Sequence, residues 1–324
     1  MSYPPQYPHD PAGWQAPAMA PRPAAPREPL DLRVVAAFVA IPLIVLLDSF
    51  VWFGMSSVYV RYLTDTYQGG LGLDHTVYGD LRTWQLLVMA GAMVLGGVVA
   101  IGLGPRFTMV LGLLICAAGV AATGLLGASG VFAAAMVVAV GQGIYRPTVY
   151  AAAAEVLPFP RGQLRNVLFV VIYLVLNLGA ALSSWLTWKL MDLTAFPVIF
   201  MAFGGALFLA AIVGLLLAFA HLFLDPVPSG SEPESGPAIG RPSRPSTHRL
   251  DPRFIAVGLG LIVVTAIPWM SVGLMWELQY AAVDLFAPDL MYSGWFFNLD
   301  PLLIIFLGLL LAAILLVLHL VRFR

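Results

Sequence analysis

Four ionisable side chains interrupt the long apolar stretches of this chain: Asp48, Arg146, Glu277 and Asp300. A charge held mid-way along a membrane-spanning helix costs about 2.5–3.5 kcal/mol to insert, so each needs a counter-charge, hydrogen-bonding partners or a wet cavity. The densest pattern surrounds Arg146, where Gln142, Arg146 and Tyr150 recur every fourth residue and so share one helical face. Such a stripe can meet a charged or hydrogen-bonding solute, or it can hold a buried acid that serves only packing. Asp48 and Glu277 are the acids able to neutralise Arg146. Depth counting at about 1.5 Å per residue sets Glu277 nearer the opposite end of its run than Arg146 is, and Asp48 at a comparable depth.

Other polar groups read more plainly. Asp300 and Glu155 lie near the ends of apolar runs, where water or a helix terminus satisfies them. His221 has no second histidine at ligand spacing, so no metal site is expected. Asn177 falls mid-run and suits packing or an interhelical hydrogen bond of about 0.6–2 kcal/mol. The single cysteine, Cys116, excludes an intrachain disulfide or a thiolate cluster and reads as a small core residue. No phosphate-binding loop, nucleophile elbow or dinucleotide fingerprint is present, so catalytic residues and cofactors are expected to be none. No basic stripe interleaved with aromatics runs along any segment, which argues against a nucleic-acid partner.

The elements that must position these groups are membrane helices. The 324 residues are 60% hydrophobic and 10% charged, with mean hydropathy +0.90, against about 25% charged in a soluble domain. Apolar runs able to cross about 30 Å of hydrocarbon fall near 34–62, 79–103, 107–127, 130–156, 166–188, 195–224, 254–286 and 301–322. The reading is an all-α polytopic membrane protein in four parts. A Pro-rich arm over 1–32, with nine prolines between Met1 and Leu30, lacks an apolar stretch and is expected to be disordered. A six-helix bundle spans 33–224. A linker covers 225–252, where seven prolines accompany Ser, Gly and Glu. A two-helix segment occupies 253–324. Most of the sixteen basic residues, Arg106, Arg161, Arg165 and Arg322 among them, fall on the side of the amino terminus, and only Arg61, Arg82 and Lys189 on the other. Basic loops stay inside, so both termini are expected in the cytoplasm.

These residues resemble the proton-dependent oligopeptide transporter family of the major facilitator superfamily. Phe50-Val51-Trp52-Phe53-Gly54-Met55, followed by Tyr62-Leu63, is similar to the family's Phe-x-Tyr-Tyr-Gly-Met signature. Gly141 to Pro147 is similar to its Gly-x-Gly-x-x-Lys-Pro, with Arg146 for lysine. Arg165, Phe169, Tyr173, Asn177, Leu178 and Gly179 follow its fifth-helix pattern, and Glu277, Leu285-Phe286-Ala287 and Asp300-Pro301 extend the likeness through the last two runs. The resemblance covers roughly residues 34 to 322 and implies a major-facilitator-like six-helix bundle plus two further helices, eight of a twelve-helix fold. It also implies a substrate- and coupling-like cavity formed by Asp48, Ser56, Gln142, Arg146, Tyr150, Tyr173, Asn177 and Glu277, and it slightly favours Glu277 over Asp48 as the partner of Arg146.

Departures from the family pattern shape the functional expectation. Where the family carries Glu-x-x-Glu-Arg, linked to proton coupling, this chain has Val45, Asp48 and Ser49, and the arginine expected after Met55 is Ser56. Arg146 cannot release a proton in the working pH range. The expectation is a derivative without autonomous proton-coupled peptide transport, acting as a structural or regulatory subunit of a complex in the bacterial inner membrane. The alternative is a carrier of peptides or small solutes completed by self-association or a partner chain. In either case Trp276, Phe286, Trp295 and Phe296, on the last two runs, are candidate contacts for a membrane-protein partner.

Overall fold

The computed structural model describes residues 32–156, 162–224, 282, 286, 300–310 and 313–314. The Pro-rich arm short of Leu32, the linker, and Trp276, Glu277, Trp295 and Phe296 lie outside the described residues. The described chain forms α1 (Leu32–Thr64), a 3₁₀ turn (Tyr67–Gly69), α2 (His75–Leu103), α3 (Pro105–Val156), α4 (Gly162–Leu193) and α5 (Phe196–Leu224), followed by the shorter apolar α6 (Asp300–Leu310). Helices α1 to α5 are each long and apolar enough to cross a membrane. In hydrocarbon every backbone polar group must be satisfied within the chain, and a helix does this internally.

Helix α3 has 52 residues, about 78 Å if straight and more than twice the hydrocarbon thickness. It is instead two rods folded back at Gly127, whose φ of 61° and ψ of −157° suit a residue without Cβ. Beyond the fold, later residues of the second rod meet earlier residues of the first. A Cβ on Gly119 would lie 2.7 Å from the Val138 nitrogen, and one on Gly112 2.7 Å from that of Tyr145. Five helical elements thus supply six crossings, with the runs near 107–127 and 130–156 joined by one glycine.

The remaining directions follow from which residues touch. Gly179 of α4 faces Leu46 and Ser49 of α1, and Gly54 of α1 faces Ser183 and Thr187 of α4, so α1 and α4 run parallel. Helix α2 lies parallel to the second rod of α3, with Gly96 against Ile144 and Gly143 against Met89 and Ala92. Helix α5 runs antiparallel to the first rod, pairing Gly124 with Phe200 and Gly214 with Met109. Small residues at each crossing let backbones approach closely, the dominant attraction where lipid offers no hydrophobic drive.

An aromatic cluster ties the Gly127 end of the bundle. Tyr62 meets Phe200 edge-on with ring centroids 4.7 Å apart, Tyr59 meets the same ring at 5.9 Å, and the Tyr62 hydroxyl donates to the Thr123 carbonyl at 2.6 Å. Backbone bonds from Leu71 to Tyr62 and from Leu73 to Leu63 fold the connecting loop onto α1. Asp74 then caps α2, accepting from the Thr76 amide at 2.8 Å. The Thr76 hydroxyl donates to the same oxygen at 2.7 Å, and the hydroxyl and backbone bonds together hold the exposed Asp74 carboxyl below its ordinary range.

Candidate functional site

The polar site is built from α1, α2 and the second rod of α3. Asp48, Trp52 and Ser56 recur every fourth residue along α1 and form its contribution. Gln142 and Arg146 sit one turn apart on α3. Glycines flank Gln142 on both sides. A side chain on Gly141 would strike the Cys116 backbone of the first rod, and one on Gly143 would meet Met89 and Ala92 of α2. The resulting close approach carries Gln142 into the bundle, where it is 1% exposed.

Gln142 joins two opposite charges. Its Nε2 donates to Asp48 Oδ1 at 2.6 Å and to the Cys116 sulfur at 3.4 Å, while its Oε1 accepts from Arg146 Nε at 2.9 Å. An ionised carboxylate only accepts and a guanidinium only donates, so this amide orientation alone satisfies both neighbours. Asp48 and Arg146 are therefore neutralised through a bridge, whereas the sequence pointed to a direct partner, either Asp48 or Glu277. Among the described residues Asp48 takes that role at one remove. The Arg146 guanidinium also lies over the Trp52 ring, 4.4 Å from its centroid, within cation–π range.

A second guanidinium reaches the same indole. Arg82 of α2, 6% exposed, lies 5.3 Å from the Trp52 centroid, donates from Nη1 to Gln85 Oε1 at 2.6 Å and from Nη2 to Ser56 Oγ at 3.2 Å. Sequence reasoning placed Arg82 among the charges beyond the membrane and passed over Gln85. The available signal was the spacing of Tyr78, Arg82, Gln85 and Met89, which are all buried and share one face of α2. The guanidinium meeting Ser56 thus comes from α2, across the bundle from the position where the oligopeptide transporter pattern has its own arginine.

The other expected residues are placed differently. Tyr150 is 45% exposed, its ring 6.3 Å from that of Phe169 on α4. Tyr173 is 55% exposed, and Asn177 spends its amide on the Tyr173 carbonyl one turn back, at 2.8 Å. No described contact joins Tyr173 or Asn177 to the Gln142 cluster. Glu155 pairs with Arg106 at 3.2 Å across the far end of the two rods. Asp300 is exposed at the start of α6, and Phe286 is 81% exposed. Among the described residues no group of three or more His, Cys, Asp or Glu side chains could hold a metal.

Comparison with known proteins agrees with this architecture. A family model described as Major Facilitator Superfamily matches residues 36–320. Among solved structures, a variant of peptide transporter POT in complex with alafosfalin matches with TM-score 0.52 at 21% identity, covering 78% of this chain and 52% of that one. Another structure of a POT variant gives 0.52 at 21% identity over 73% and 47%. The POT family transporter PepTSo gives 0.51 at 20% identity over 56% and 37%. The chain spans about half the length of these structures or less, and at such identities the likeness concerns the fold. No curated protein matches the sequence. Family and fold are those of membrane transporters: this multi-pass chain, embedded in the lipid bilayer, belongs to the Major Facilitator Superfamily.

Proposed function

We propose that the chain serves as a structural or regulatory subunit of a membrane complex and does not by itself drive proton-coupled peptide uptake. The observation that carries this reading is the environment of Ser56. In the resembled family an arginine follows the Gly-Met pair. Here the serine hydroxyl accepts from Arg82, so the surrounding polar groups are arranged around a neutral side chain. Val45 and Ser49, at two further positions where that family carries ionisable groups, are buried and cannot titrate. A single acid, Asp48, remains on this part of α1, and its carboxylate is engaged by Gln142. The partner is another membrane protein or a second copy of the chain. The distribution of basic residues supports an orientation with both termini on the cytoplasmic side. Extraction from the native membrane in mild detergent tests this reading: a stoichiometric foreign partner supports it, and a monomer active in peptide uptake refutes it.

A second reading, a carrier for a small solute bearing an anionic group, is favoured by one feature. Gln85 Nε2 is buried and has no acceptor among the described residues, and its own carbonyl holds Arg82, whose guanidinium shares the Trp52 ring with that of Arg146. A carboxylate or phosphate oxygen would satisfy that donor. Saturable uptake of an anionic solute by the purified chain in liposomes, lost in Gln85→Leu, supports this reading over the first.

A further inference from the structure

We infer that the last turns of α4, at Trp185 and Lys189, hold the phosphate headgroup of an anionic membrane lipid. The site lies outside the Gln142 cluster and is independent of both functional readings. Lys189 is the one lysine of the chain, and it stands one turn inside the end of a membrane-spanning helix, which closes at Leu193. A lysine there has a stem long enough to carry its ammonium outward into water. Here the ammonium turns the other way: it lies over the Trp185 ring, 4.6 Å from the centroid, and Trp185 stands one turn, about 6 Å, deeper along the helix. The charge is thus kept at the membrane boundary, where tryptophan rings collect at headgroup level. Trp185 is 53% exposed and Lys189 is exposed beside it, so the indole backs the ammonium on one side and a ligand can reach it from the bilayer.

The neighbouring residues suit a lipid better than a free anion. Leu178, Leu182, Trp185 and Lys189 recur at helical spacing on one face of α4. Its three apolar members are all exposed, a track along which an acyl chain can lie beneath the charge. Helix α6 meets this face further down, with Gly308 against Leu174, and the positions from Leu178 to Lys189 on it stay open. A second cation supports the same turn from the bundle side, where the Arg61 guanidinium of α1 lies 5.1 Å from the centroid of the buried Trp188 ring. Asp192, the one acid of α4, is exposed, and among the described residues it forms no ion pair with Lys189. A phosphate oxygen would give that ammonium a charge-assisted hydrogen bond.

The test uses the full-length chain in vesicles of phosphatidylcholine and phosphatidylglycerol, with bromine on the acyl chains of one lipid or the other and the amount of brominated lipid held equal. Bromine quenches indole fluorescence at contact, and Trp185→Phe, measured alongside, isolates the Trp185 signal by difference. The quenching should report a local enrichment of phosphatidylglycerol of roughly five-fold, the effect of one basic residue beside anionic lipid. The preference should vanish in Lys189→Gln and persist in Lys189→Arg. It should also withstand inorganic phosphate in place of chloride at matched ionic strength, which separates a lipid headgroup from a free phosphate. The inference is overturned if both lipids quench Trp185 equally, if the preference survives Lys189→Gln or is lost in Lys189→Arg, or if phosphate cancels it where chloride does not.

Discussion

Replacing Arg146 by methionine removes one end of the bridged pair and leaves the Asp48 carboxylate buried, held among the described residues by the Gln142 amide. Two hydrogen bonds in series through one amide set the charges roughly 7 Å apart, where unit charges at an effective dielectric of about 20 attract by about 2 kcal/mol. The bond from Arg146 to Gln142 adds about 1.5–3 kcal/mol as a hydrogen bond to a charged group. The loss expected for Arg146→Met is therefore about 3–5 kcal/mol, the range found when a buried pair loses one member. Adding Asp48→Asn should return about 2 kcal/mol, because the residual penalty is largely that of the stranded carboxylate. The chain carries its own reporter: Cys116 is the only cysteine and is buried against Gln142. Thermal unfolding in detergent, followed by a thiol-reactive dye, reads the opening of this core directly. Losses that add within about 0.5 kcal/mol would show that Asp48 and Arg146 are not coupled, and the bridging role of Gln142 in stability would fall with them.

Other consequences can be checked in the same format. Gly141→Leu should abolish a monodisperse peak on size-exclusion chromatography, since its side chain would have to occupy the Cys116 backbone; a well-folded variant contradicts the packing of the two rods. Gly127→Ala should cost about 1–3 kcal/mol because the turn there has φ of 61°, measured by the same thiol-dye unfolding. Tyr62→Phe removes the hydroxyl bonded to the Thr123 carbonyl and should cost about 1 kcal/mol. For Asp74 the folded carboxyl titrates below its ordinary value of 3.8. Its capping contribution is thus fully present above that value and is lost as pH falls through the lower folded one. Hydrogen-exchange protection at the start of α2 should drop in that acid window, and Asp74→Ala should remove the pH dependence.

Much of this arrangement was legible in the sequence because membrane burial leaves a strong mark. Long apolar runs fixed the crossings, and the spacing of Gln142 and Arg146 placed both on one face. The resemblance to oligopeptide transporters carried the fold. The fold-back inside α3 was legible too, as the break between the runs near 107–127 and 130–156, and the structure puts it at Gly127. Arg82 was missed for a physical reason: it stands seven residues into α2 after a polar start at Asp74 and His75, so a rule based on basic residues beside membrane segments counts it as outside. Only the close approach of α1 and α2 at Trp52 and Ser56 brings it inward. The bridge itself was out of reach, because a partner search among charged residues overlooks a neutral amide that serves both ends.

The most direct measurement is uptake by the purified chain alone in proteoliposomes under an inward proton gradient, with labelled di- and tripeptides supplied outside. With Val45, Ser49 and Ser56 at positions that are ionisable in the resembled family, accumulation should not exceed that of protein-free liposomes. Gradient-driven accumulation by the unassisted chain, abolished by a protonophore, would contradict the proposal that it works as a subunit without autonomous peptide transport.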